Sequence, residues 1–129
     1  MINLKDKNIL KFIEKARVDA DVLAIALFGS MARGEPHRDI DLCIFLNRKM
    51  TNKEMTDKRI KYLNNASDKL DIHIFQQLPV YIRVRILKEG KILFCNDEDS
   101  LYEIAFDIIK EFNLYEKVYN MCLGGVENG

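Results

Sequence analysis

Residues 27–45 read LFGSMARGEPHRDIDLCIF, and the fold turns on them. Leu27 and Phe28 close an apolar run, VLAIALF, that Gly29 and Ser30 end abruptly. A short loop follows, and a second apolar run, IDLCIFL, begins just after Asp39 and carries Asp41 as its second residue, so that one residue separates the two acids. Both runs have the length and continuity of buried strands. Side chains alternate across a strand, so Asp39 and Asp41 project from the same face. Packing gives no reason to begin a buried strand that way. Two carboxylates on one face repel unless a cation lies between them, and hard dications such as Mg²⁺ take oxygen ligands.

A third acid extends the pattern. LDIHIF, residues 70–75, places Leu70, Ile72 and Ile74 on one face and Asp71, His73 and Phe75 on the other. Asp68 precedes this strand and is the weaker candidate. With the third strand beside the second, Asp39, Asp41 and Asp71 converge at one end of a sheet. Three carboxylates can hold two metal ions at ~3.5–4 Å, the clamp of an in-line phosphoryl displacement. Gly29-Ser30, turning into a short helix over residues 31–34, offers backbone N–H groups and a hydroxyl to phosphate. Arg33 adds a positive charge. His37 and Arg38 suit a phosphate-steering loop or a solvated one equally. Cys43 reads as a small buried thiol, and His73, on the Asp71 face, as a histidine packed beside the site or on an open sheet face rather than as a contact to metal or substrate.

Outward from this centre, residues 3–17 carry a helical apolar stripe, and the lysine-rich stretch at 47–67 ends in an exposed helix. Pro79 opens a helix that Glu89-Gly90 closes, and KILFC at 91–95 is a fourth strand. Leu101, Ile104, Ala105, Ile108, Phe112, Tyr115, Tyr119 and Cys122 recur at helical spacing over 99–122, with Asn113 a candidate break and 124–129 a loose tail. So long a helix outruns a small domain, which marks Tyr115, Tyr119 and Cys122 as a candidate contact surface. The expectation is one α+β domain over 1–129, with a mixed sheet and helices packed largely on one face.

Composition limits the partners. Twenty basic and twenty acidic residues cancel, so bulk electrostatic binding of nucleic acid is not expected. Three dispersed cysteines without a CxxC pair suit free thiols in a reducing compartment. No signal-peptide core or ~20-residue apolar span is present, so a cytoplasmic protein that does not enter membranes is expected.

GSMARG, then DID, then a strand with a third aspartate resembles the polymerase-β nucleotidyltransferase superfamily, above all its smallest branch, the minimal nucleotidyltransferase (MNT) proteins. The likeness runs from residue 22 to 75, and KILFCNDEDSLYEIAFDIIKEF is similar to the branch's closing strand and helix. It implies the polymerase-β-like fold. It implies Gly29, Ser30 and Arg33 as binders of nucleotide phosphates and Asp39, Asp41 and Asp71 as catalytic ligands of two Mg²⁺ ions, with Asp71 helping to deprotonate the attacking hydroxyl. The substrate implied is an NTP, ATP above all, and the partner a HEPN-domain toxin that receives AMP on a tyrosine, with this chain as antitoxin. The loop at 31–38 is shorter than is usual in the family, and Arg38 stands where a serine often precedes the paired acids. Two other functions are compatible: a stand-alone enzyme acting on a small hydroxylated molecule, and a catalytically silent protein that blocks its partner sterically.

Overall fold

The computed structural model describes residues 7–29, 32–34 and 39–127. The chain runs α1 (Lys7–Arg17), β1 (Val22–Phe28), β2 (Ile40–Leu46), α2 (Asn52–Asn64), β3 (Leu70–Ile74), α3 (Val80–Glu89), β4 (Lys91–Cys95) and α4 (Glu98–Glu127), with a 3₁₀ turn at Phe75–Gln77. The four strands form one sheet in the order β3-β2-β1-β4. β1 pairs antiparallel with β2 and β4, while β2 and β3 run parallel, so the sheet is mixed, as expected.

The helices depart from expectation. They were expected largely on one face, but they divide between both. Ile9, Phe12 and Ala16 of α1 and Tyr62 of α2 pack with Ile25, Leu27, Leu42, Ile44 and Ile72. Val84 and Ile86 of α3 and Ile108 of α4 pack on the other side with Ala24, Ala26, Cys43, Phe45 and Phe75. The reason is already in the central strands. Successive residues of VLAIALF and of LCIFL point to opposite faces, and all but Phe28 are buried, so each face needs a cover.

Local chemistry sets the boundaries. Thr51 caps α2 through a capping box in which its hydroxyl accepts from the Glu54 N–H and the Glu54 carboxylate accepts from the Thr51 N–H. Pro79 precedes the first residue of α3. Asn113 does not interrupt α4, which continues past residue 122 to Glu127. At 1.5 Å per residue this helix is ~45 Å long. Its stripe is sheltered at Ile108, whereas Tyr115 and Tyr119 further along it are 47% and 53% exposed. Tyr102 and Phe106, around the helix from that stripe, are each 67% exposed. Among the described residues, no helix is long and apolar enough to cross a membrane.

Candidate active site at the end of the sheet

Register places the acids. Because β2 and β3 are parallel and in phase, Asp41 lies directly beside Asp71, and Cys43 beside His73. On its other side Asp41 pairs with Phe28, the last residue of β1. The end of β1 and the starts of β2 and β3 therefore meet at one point, on the face covered by α3 and α4. Further along that face, the stacked rings of Phe45 and Phe75, 4.1 Å between centroids, form an apolar floor.

Gly29 turns the chain away from this point with φ +77°. A Cβ at Gly29 would overlap the Asp41 carboxylate, so both the backbone angle and the space require glycine. Its carbonyl accepts a hydrogen bond from the Arg33 N–H at 3.3 Å, one helix-like turn on. Arg33 forms an ion pair with Glu89 of α3 at 3.5 Å. Gly29, Asp41, Arg33, Ile82, Arg85 and Glu89 line a cleft of about 320 Å³. A larger cavity, about 700 Å³ between α1 and α2, has Glu14 as its one carboxylate among the described residues. Volume does not mark the site; the paired acids do.

Burial raises the pKa of Asp41 above the usual carboxylate value, and the neighbouring charge of Asp71 raises it further. His73 opposes this rise, and the charge of Asp39 adds to it. One ligand atom each from Asp41, Asp71 and His73 lie within 4.8 Å of one another. His73 Nε2 is 3.0 Å from Asp71 Oδ2, and Arg59 approaches Asp71 at 3.9 Å. Crowded carboxylates with a desolvated member, glycine-tight on one side, fit the oxygen-donor demand of a hard dication. Asp39 is exposed just before β2, outside this group of three.

The structure thus brings together Asp41, Asp71, Gly29 and, across the cleft, Arg33. Ser30, His37 and Arg38 lie outside the described residues. Arg85 is the residue that sequence reasoning passed over, and His73 is one that it weighed as a contact and read as packed beside the site. His73 carried a readable signal, two positions from Asp71 on the same face, whereas Arg85 became visible only when α3 was docked. Cys43 is fully buried, and burial pushes its thiol up, which suits packing rather than reactivity.

Comparison with known proteins agrees with this geometry. The model of the "Polymerase beta, Nucleotidyltransferase" family matches residues 7–99. The chain belongs to the polymerase-β nucleotidyltransferase family. A Methanocaldococcus jannaschii protein named as a candidate protein adenylyltransferase is 35% identical over 98 residues, 74% of each chain. Among solved structures, one described as a toxin–antitoxin with AMP-PNP superposes with a TM-score of 0.69 at 19% identity, over 96% of this chain and 99% of that one. Another, a tri-AMPylated Shewanella oneidensis HEPN toxin in complex with MNT antitoxin, gives 0.65 at 17% identity, over 96% and 97%. At those identities the superpositions speak for the fold. This nucleotidyltransferase domain has the polymerase-β-like α+β fold.

Proposed function

We propose that the chain transfers AMP from ATP to a hydroxyl of a HEPN-domain partner, a tyrosine above all, and so acts as the antitoxin of the pair. The observation that carries the reading is the in-register contact of Asp41 with Asp71 beside Gly29. Its likeness to a named protein adenylyltransferase and to chains from HEPN–MNT complexes supports the acceptor. So does α4, whose exposed Tyr102, Phe106, Leu114 and Met121 leave apolar surface of the kind a partner covers.

Asp41 and Asp71 would hold the metal, with Asp39 as the further carboxylate on the same face. Mg²⁺ ions bound there, two in this reading, would neutralise charge on the α-phosphate and on the leaving pyrophosphate. Gly29 lets the backbone approach the triphosphate, Ser30 donates its hydroxyl to a phosphate oxygen, and Arg33 and Arg85 supply positive charge from the cleft wall. The acceptor oxygen bonds to the α-phosphorus, the bond to the β-phosphate oxygen breaks, and Asp71 helps take the hydroxyl proton. Positioning and preorganised charge carry the rate.

The test is mass spectrometry of the co-purified partner after incubation with ATP and Mg²⁺. The reading expects an AMP adduct on a partner tyrosine, absent with Asp39→Asn/Asp41→Asn. An unmodified but still inhibited partner would contradict it.

A further inference from the structure

The group at the sheet end is not an all-oxygen one. Its third member, His73, sits two residues beyond Asp71 on the same face of β3, and register sets it beside Cys43 of β2. Its ring is held edge-on by Phe28, 5.6 Å between centroids, and its Nε2 faces the Asp71 carboxylate at 3.0 Å. With only about a quarter of the side chain exposed, the imidazole is directed into the group rather than into solvent. One atom each from Asp41, Asp71 and His73 can therefore face a single ion.

Resting on the site reading above, we propose that Asp41, Asp71 and His73 form a mixed carboxylate–imidazole centre that binds a first-row transition-metal dication in preference to Mg²⁺. The donor chemistry is the reason. Mg²⁺ is held by carboxylates and waters in near-ideal octahedral geometry. An imidazole nitrogen adds affinity along the transition series and little for magnesium. Two clustered carboxylates attract any dication; the nitrogen beside them discriminates. A hydrophobic residue in place of His73 would leave the carboxylates and remove the preference.

Mn²⁺ is the probe, because its electron spin reports a directly bound nitrogen. The full chain, with and without AMP-PNP, is loaded with Mn²⁺ and studied by electron spin-echo envelope modulation. The expected result is ¹⁴N modulation that becomes ¹⁵N modulation when histidine is isotopically labelled, with no substitution made. The chain has two histidines, so the signal should survive His37→Gln and vanish in His73→Gln. In His73→Gln, Mn²⁺ affinity should fall at least ~10-fold, the lower bound for loss of an outer-shell partner. Mg²⁺ affinity, read by displacement of Mn²⁺, should change less than about twofold.

Bound Mn²⁺ without histidine modulation, or modulation that follows His37, overturns the inference. If that Mn²⁺ is still lost in Asp41→Asn, the carboxylate reading stands without His73. A wild-type chain that binds neither ion, even with AMP-PNP, sinks both.

Discussion

The two ends of the sheet each carry a pair of aspartates, and the pairs are treated in opposite ways. Asp19 and Asp21, in the turn before β1, share Lys58 at 2.7 and 3.2 Å. Arg48 closes on Asp21 at 2.7 Å, and the Tyr62 hydroxyl donates to Asp19 at 2.6 Å. Burial pushes Asp19 up, but the Lys58 and Tyr62 hydrogen bonds outweigh it and hold the carboxyl below its usual value. At the other end, Asp41 and Asp71 touch each other, and burial with that neighbour drives Asp41 the opposite way. Arg59 stands at 3.9 Å from Asp71 and does not cancel the pair. The first pair is closed by protein cations and works for stability. Among the described residues the second is left short of positive charge, the condition in which a bound dication gains most.

Substitutions can break this contrast. The largest effect is expected for Asp41→Asn: AMP transfer should fall by more than the ~100-fold that loss of an outer-shell partner costs. Without metal, its melting temperature should hold or rise, because a repelling charge is removed. Next is Gly29→Ala, which strains a positive φ and displaces the Asp41 carboxylate. We expect about 1–3 kcal/mol of destabilisation by denaturant unfolding, with transfer lost in the remaining folded protein. Asp19→Ala removes the acceptor of the Tyr62 hydroxyl and one of the two carboxylates that share Lys58, and should cost about 1–3 kcal/mol, with transfer per folded molecule unchanged. Asp21→Asn weakens a half-exposed pair and should cost under ~1 kcal/mol.

Acid titration sharpens the same comparison. A carboxyl whose folded pKa is lowered gives stability that is present above its unfolded value, ~3.9, and lost as pH falls through the folded value. Asp19 should therefore contribute to acid unfolding, and Asp19→Ala should flatten the fall of melting temperature below about pH 4. Asp41 has the opposite sign: its contribution is present below the unfolded value and lost as pH rises through the raised one. Asp41→Asn should flatten the stability curve just above pH 4 in metal-free buffer.

Much of this was legible in the chain. VLAIALF, IDLCIFL and KILFC announced three strands whose bounds match β1, β2 and β4, because an unbroken apolar run ended by glycine or polar residues has few other uses. The spacing of Asp39 and Asp41 pointed at a shared face. What stayed hidden depended on tertiary register. That the same apolar runs demand helices on both faces follows from alternation, yet which helix covers which face does not. His73 resembles any half-buried strand histidine until β3 lies parallel to β2 with Asp71 against Asp41. Arg85 is one more helical cation until α3 closes the cleft over Gly29.

The decisive experiment is label transfer from ATP carrying a radioactive α-phosphate, with Mg²⁺ and the co-purified partner, run side by side on wild type, Asp41→Asn and Asp19→Ala. Label is expected on the partner with wild type and Asp19→Ala, scaled to the folded fraction, and none with Asp41→Asn. Equal labelling by Asp41→Asn, or labelling that fails only in Asp19→Ala, would place the chemistry somewhere other than the Asp41–Asp71 end of the sheet.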